Sequence, residues 1–215
     1  MLSFYYNFVK IVDLFFKSYK IYNVIKRRIV LRIISGKARG TKLETLEGQD
    51  TRPTLDRVKE ALFSIIQNEI WDACVLDLFS GSGALGIESI SRGAKIAYCC
   101  DNSRKATEII KRNVQKTHFE EQIKIINKDY KKCLEELKKY KFDIIFLDPP
   151  YITDFGIQAT KIIIENKMLN DDGIIVFETD KKEQDYLQEL EKNASVTGLR
   201  RYGRVTLVFL SPRKE

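Results

Sequence analysis

The stretch Val75-Leu76-Asp77-Leu78-Phe79-Ser80-Gly81-Ser82-Gly83-Ala84-Leu85-Gly86 decides the fold. An apolar run ends in an acid, a glycine-rich turn follows, and a helix-compatible segment opens at Ala84. Strand, turn and helix in that order are the first half of a βαβ unit. Gly81, Gly83 and Gly86 satisfy G-x-G-x-x-G, a spacing that phosphate-binding and other nucleotide-binding turns share.

Outward from this stretch the chain keeps alternating. Strand-like runs lie at Cys74–Phe79, Ile96–Asp101, Ile123–Asn127, Phe142–Leu147, Gly173–Glu178 and Val205–Leu210. Helical spacing fills Ala84–Arg92, Arg104–Thr117, Lys131–Tyr140, Phe155–Asn166 and Lys182–Asn193 between them. Several runs are apolar throughout, as strands buried on both faces are. Repeated βα units predict a mostly parallel sheet with helices on both sides. The last two strands meet around Gly203, which predicts an antiparallel hairpin at the sheet edge. Upstream, Leu31–Gly36 and Thr41–Leu43 bracket the basic turn Lys37–Gly40, a predicted small β-hairpin. A helix follows from Leu55, with Thr54 as its expected N-cap and Val58, Leu62, Ile65 and Ile66 as its apolar face.

Open α/β sheets bind ligands at the carboxyl ends of their strands, and acids cluster at those ends here. Asp77 beside the glycine loop would repel a pyrophosphate. It suits a ligand with an ammonium group and a cationic sulfur, and S-adenosylmethionine has both. A plain tight turn also fits the glycines. Asp101 ends the next strand, where a carboxylate can hold both ribose hydroxyls or cap the helix that follows. Asp129, after the third strand, can accept an adenine amino group. Then comes Asp148-Pro149-Pro150-Tyr151, directly after the fourth strand. Two prolines make a rigid, extended turn that aims the Asp148 side chain and the Pro149 carbonyl into a site. Two acceptors holding the hydrogens of a base amino group favour a pyramidal nitrogen with its lone pair aimed at a methyl group. Tyr151 offers a flat face for a base taken out of its stack.

The 215 residues carry a formal charge of +7. Residues 1–30 hold six Lys/Arg against Asp13 alone, so most of the excess lies at that end, and residues 31–59 add seven Lys/Arg against four acids. A basic N-terminal third on a near-neutral body points to a polyanionic partner, or to a solvated surface. Within residues 1–30, Phe4, Phe8, Val12, Phe15, Tyr19 and Tyr22 oppose a polar stripe, which predicts an amphipathic helix. Two readings stand for it: an extension touching membrane or RNA, or a misassigned start with Val30 or Leu31 as the true first residue. The four cysteines form no C-x-x-C pair and His118 is the only histidine, so neither a zinc site nor a disulfide framework is expected. Free thiols and the lack of a ~20-residue apolar span fit a cytoplasmic protein with no stable membrane association.

The order of hairpin, Thr51-Arg52-Pro53-Thr54-Leu55-Asp56-Arg57-Val58, Asp77–Gly86, an acid at 101 and Asp148–Tyr151 resembles the RsmD family, bacterial methyltransferases acting on guanine N2 of small-subunit ribosomal RNA. The resemblance covers about Leu31 to Pro212. It implies a Rossmann-like, seven-stranded methyltransferase sheet over residues 31–213, with the hairpin inside residues 31–50 and residues 1–30 as an extension. It implies bound S-adenosylmethionine, 16S rRNA of the small subunit or its assembly intermediate as partner, and a monomer. By position, Thr51, Arg52, Pro53 and Thr54 would close over the methionine end, and Asp77, Phe79, Ser80, Gly81 and Gly83 would line the cofactor. Asp101 would hold the ribose and Asp129 the adenine, and Asp148, Pro149, Pro150 and Tyr151 would hold the guanine. Arg32, Lys37, Arg39, Arg57 and Lys59 are candidates for RNA phosphate contacts. Ala38 stands where relatives often carry an aromatic residue, and Asp101 where Glu is frequent. Rival readings are a DNA or other RNA base amino-methyltransferase, an NAD-dependent oxidoreductase, and a non-catalytic ribosome-binding factor.

Overall fold

The computed structural model describes residues 31–46, 53–183 and 186–213. The helix expected in residues 1–30 lies outside them. Seven strands form one sheet: β1 (Cys74–Asp77), β2 (Ile96–Asp101), β3 (Ile123–Asn127), β4 (Phe142–Leu147), β5 (Leu169–Thr179), β6 (Ser195–Tyr202) and β7 (Val205–Ser211). Among the described residues the helices are α1 (Pro53–Ile65), α2 (Ala84–Ser91), α3 (Arg104–Thr117), α4 (Tyr130–Leu137), α5 (Phe155–Glu165) and α6 (Leu187–Asn193).

The sheet order is β3-β2-β1-β4-β5-β7-β6. β1 to β5 pair in parallel, and β7 pairs antiparallel with both β5 and β6. The hairpin around Gly203 therefore forms the expected edge. The chain leaves β1 outward through β2 and β3, then returns to β4 on its other side. The β1/β4 boundary is thus the switch point, where adjacent loops part and open a crevice.

Side-chain alternation divides the core. Val75, Cys99, Ile144 and Val176 face one layer, made by the hairpin and α1 to α3. Leu76, Cys100, Ile145 and Phe177 face the other, made by α4 to α6. The neighbours Cys99 and Cys100 point to opposite faces, as strand geometry requires. Each fully buried Ile, Leu or Phe contributes about 1.5–3 kcal/mol on these faces. Local signals fit the same plan. Ser103 caps α3 by accepting from the Ala106 N–H at 3.3 Å, and His118 ends that helix in a left-handed conformation. Ala106, Ile109, Ile110, Asn113, Val114 and Thr117 then fall on its buried side at helical spacing.

Several boundaries differ from expectation. The helix expected after a Thr54 cap begins at Pro53, so Thr54 is its second residue and no cap. Proline suits that first position, because its missing N–H would have no intrahelical partner. Its apolar face also shifts: Phe63 is fully buried, while Ile65 is exposed. β1 stops at Asp77 rather than Phe79, since the chain turns away into the glycine loop. β5 begins at Leu169, four residues early, and a register irregularity against β4 absorbs the added length. α4 runs Tyr130–Leu137 rather than Lys131–Tyr140, and of the helix expected over Lys182–Asn193 the described part, α6, begins at Leu187. No helix among the described residues is long and apolar enough to cross a membrane.

The N-terminal hairpin is narrow, held by one antiparallel bridge, Arg32–Lys42, and by Ile33 N–H to Thr41 O at 2.9 Å and Leu43 N–H to Leu31 O at 2.8 Å. Its turn docks on the end of α2. Lys37 N–H donates to Ser91 O at 2.8 Å, and Ala38 N–H to Ser91 Oγ at 3.0 Å. A Cβ at Gly36 would lie 1.8 Å from the Ser91 carbonyl oxygen, so the contact excludes any side chain. Beneath the hairpin sits Glu88, which has no exposed surface. It accepts from Ile34 N–H (2.8 Å), Ser35 N–H (3.0 Å) and Arg92 Nε (2.8 Å), with Lys59 Nζ at 3.3 Å.

Candidate active site

A cavity of about 1070 Å³ opens at the carboxyl ends of the parallel strands. Among the described residues six carboxylates line it: Asp77, Asp101, Asp129, Asp148, Glu178 and Asp180. They come from the ends of five neighbouring strands. A parallel sheet collects residues that lie a hundred positions apart.

The glycine loop forms one wall. Asp77 is buried at the end of β1, and its Oδ2 accepts from Gly86 N–H at 3.1 Å. Gly86 must be glycine for packing, since a Cβ there would lie 2.4 Å from Cys99 Sγ. Burial, more than the nearby Asp101 charge, raises the Asp77 carboxyl to about 7, although the Gly86 N–H and Ser80 pull it back. Ser80 Oγ donates to Asp77 O at 2.8 Å, and Gly83 N–H to Ser80 O at 2.7 Å, closing the turn. Phe79, Ser80 and Gly81 line the cavity. Gly83 does not. It caps α2 in the left-handed region (φ 79°), and its open side faces Ile110.

Asp101 is not the cap of the following helix; Ser103 is. Its two oxygens accept from Gly81 N–H at 2.9 Å and Ser103 N–H at 2.8 Å, tying β2 to the glycine loop. Asp129 caps α4 through the Lys131 N–H at 2.9 Å. Sequence reasoning missed three supports. Asn113, fully buried on α3, donates to Ser82 O at 2.9 Å and Glu44 O at 3.0 Å, holding the loop against the hairpin exit. Tyr130 and Phe155 continue an aromatic wall from Phe79, with ring centroids 5.4 and 5.0 Å apart in sequence. An Asn on the inward spacing of a helix was the available signal for the first. Nothing local marks the aromatic pair, because α4 and α5 bring it together.

The other wall is Asp148–Tyr151. Asp148 is exposed where it lines the cavity, just past the end of β4. Desolvation by the neighbouring protein, then the Glu178 and Asp77 charges, raises its carboxyl well above the ordinary carboxylate range. Among the described residues nothing donates to Asp148 or to the Pro149 carbonyl. The Pro150 carbonyl is used: the Thr153 N–H and hydroxyl donate to it at 3.0 and 2.7 Å. The turn thus commits one carbonyl to its own geometry and leaves two acceptors open. Tyr151 O–H donates to Glu178 Oε1 at 2.8 Å, which anchors the ring. Burial and then the Glu178 and Asp148 charges raise the Tyr151 hydroxyl, and burial raises Glu178.

Thr51 and Arg52 lie outside the described residues. Pro53 and Thr54 open α1, where only their backbone is described. Of the basic candidates, Arg32, Lys37, Arg39 and Arg57 are exposed. Lys59 is a correction. It is 5% exposed, and its ammonium is committed to Glu88 and to the Arg32 carbonyl at 2.6 Å. It holds the hairpin down and presents nothing to a phosphate. Its position four residues before Phe63 was the missed signal, since that spacing puts both on one helix face. Ala38 packs against the core beneath the hairpin turn.

The comparisons agree with this layout. The family described as conserved hypothetical protein 95 matches residues 31–211. Ribosomal RNA small subunit methyltransferase D of Haemophilus influenzae is 37% identical over 153 residues, 70% of this chain and 79% of that protein. The Escherichia coli protein of the same name is 33% identical over 150 residues, 70% of this chain and 75% of its own. The solved structure of yhhF from Escherichia coli superposes with a TM-score of 0.73 at 28% identity, covering 86% of this chain and 99% of that one. A hypothetical protein of Thermus thermophilus gives a TM-score of 0.71 at 26% identity, covering 85% and 99%. With most of its length matched in sequence and in fold, the chain belongs to the RsmD family, that of ribosomal RNA small subunit methyltransferase D.

Proposed function

We propose that this protein methylates the exocyclic N2 amino group of a guanine in 16S rRNA, using S-adenosylmethionine. The observation that carries the reading is the pair of open acceptors, Asp148 and the Pro149 carbonyl. They face a cavity whose other wall is an acidic glycine loop at the sheet's switch point. The residues present fit the cofactor. Asp77 supplies an anion for an ammonium group, and Gly81 leaves open space where a Cβ would stand. Bound there, S-adenosylmethionine supplies an activated methyl group.

The chain's own work is to bind and orient. Asp77 and the loop over Ser80 and Gly81 take the amino-acid end. Asp101 takes the ribose hydroxyls and Asp129 the adenine amino group, against the wall of Phe79 and Tyr130. Asp148 and the Pro149 carbonyl accept the two N2 hydrogens, which turns the nitrogen lone pair toward the methyl carbon for in-line attack. Tyr151, fixed by Glu178, provides a rigid face for the extruded base. Once N2 has accepted the methyl group that the cofactor would supply, it would be cationic and would give up one proton. Asp148, with its raised proton affinity, is placed to take it. Arg32, Lys37, Arg39 and Arg57 bind phosphates from the hairpin side, independently of sequence.

The test is transfer of labelled methyl from S-adenosylmethionine to small ribosomal subunits from cells lacking the protein, to their bare RNA and to duplex DNA, with nucleosides identified by mass. N2-methylguanosine from subunits or their RNA is the expected product. Methyladenine in DNA, or no transfer to any substrate, would move the substrate assignment elsewhere.

A further inference from the structure

The acceptors at Asp148 and Pro149 read an amino group, and adenine and cytosine carry one too. What separates guanine is the neighbouring ring position. Guanine N1 bears a hydrogen beside the amino group, whereas the amino groups of adenine and cytosine are flanked by a bare ring nitrogen. A site that selects guanine therefore needs a further acceptor next to Asp148.

The sheet supplies one. Leu147 of β4 pairs with Phe177 of β5 in parallel register, so the next residues, Asp148 and Glu178, stand side by side at the cavity floor. Tyr151 O–H holds Glu178 Oε1 at 2.8 Å and fixes the carboxylate plane. Among the described residues nothing donates to Oε2, and no ion pair reaches Glu178. We propose that Glu178 is a specificity residue: its carboxylate accepts the N1–H of the base whose amino group Asp148 holds. A base with a lone pair at that position would set it against an anion and leave the carboxylate without its donor. A site built around a hydrogen bond rejects an analogue lacking it far more strongly than a merely apolar pocket rejects a wrong shape. Desolvation raises both carboxyl groups in the free protein, with the Glu178 charge adding to the rise at Asp148, and guanine's donors would replace the lost water. The inference rests on the guanine-amino reading above.

The test replaces the target guanine, in RNA ligated from synthetic fragments and assembled into subunits, with 2-aminopurine. That base keeps the amino group but has a lone pair at N1. The wild-type protein should lose about a hundredfold in kcat/KM, the scale of a lost hydrogen bond to a charged acceptor. In Glu178→Gln, Tyr151 keeps the amide oxygen and the amide N–H faces the base. Guanine transfer should fall, and the guanine-to-2-aminopurine ratio should shrink to within about tenfold. Tyr151→Phe keeps the carboxylate, so its ratio should stay near wild type even where its rates drop. If Glu178 only props Tyr151, Glu178→Gln lowers both substrates by one factor and the ratio stands, which overturns the proposal. Equal wild-type rates on the two bases overturn it without any variant, so a poorly folding Glu178→Gln protein cannot shield it. Absence of N2-methylguanosine from unsubstituted RNA would instead sink the guanine reading, and this proposal with it.

Discussion

Two regions of this molecule gather carboxylates, and they treat them in opposite ways. Under the hairpin, Glu88 is enclosed with Lys59 and Arg92 and accepts from two backbone N–H groups. Its charge is met entirely within the chain. At the cavity floor, Asp77, Asp148 and Glu178 crowd together, and among the described residues none of them joins an ion pair. The first arrangement fixes a structure: three segments distant in sequence are locked by one side chain. The second leaves an electrostatic debt that a cationic, donor-rich ligand settles. Unmet like charge at a cavity is the mark of a site poised for binding, whereas a satisfied buried charge marks architecture.

The sharpest way to break this contrast is Asp148→Ala. Transfer should fall by more than about a thousandfold, since an acceptor used at the reacting nitrogen is lost. Cofactor affinity by calorimetry should stay within a few-fold, and the melting temperature should hold or rise, because one crowded charge is gone. Equal loss of binding and transfer would put Asp148 in the cofactor site instead.

The mirror experiment is Glu88→Ala. Stranding the buried Lys59 and Arg92 should cost about 3–5 kcal/mol. That corresponds to a fall of about 10 °C in melting temperature for a chain of this size. An unchanged melting curve would show that the hub is not structural.

A pH series probes Asp77. Its carboxyl is raised to about 7 when folded, against 3.8 ordinarily. The folded state thus holds the proton longer than the unfolded chain. The group's contribution to the free protein is fully present below about pH 4 and is lost as pH rises to about 7. Binding a cofactor ammonium selects the anion, so affinity should weaken from pH 8 to pH 6, with a limit of about tenfold per unit. Asp77→Asn should flatten that slope. A slope that survives the substitution belongs to another group.

The smallest effect is expected at the hairpin surface. Replacing Lys37 and Arg39 together by Ala should weaken RNA binding several-fold and lower the slope of log affinity against log salt by about one per charge. Lys59→Met, by contrast, should change stability and leave the salt slope alone. A changed slope would return Lys59 to the RNA surface.

The alternation of apolar runs and helical spacing from Cys74 to Leu210 was enough to read a mostly parallel α/β sheet, because strand and helix periodicities are local properties of the chain. Asp77, Asp101, Asp129 and Asp148 were legible as site candidates for a related reason: each lies at or just past the end of a strand, and parallel strands all deliver their carboxyl ends to one edge. Glu178 was not legible. It closes an apolar strand like any other, and only the β4–β5 register sets it beside Asp148. Lys59 was misread because charge was weighed without the helix face it occupies. Gly83 was placed on the cavity wall because its motif is usually counted as a unit, whereas here its left-handed backbone serves the cap of α2.

By itself, then, the sequence determined most of the segments that become strands and helices, β6 (Ser195–Tyr202) excepted, and which acids sit at strand ends. These follow from side-chain period and backbone preference over a few residues. Tertiary structure alone decided which charges are paired and which are left open. Pairing depends on register and docking between segments far apart in the chain, as Glu88 meets Ile34 and Lys59, and Tyr151 meets Glu178.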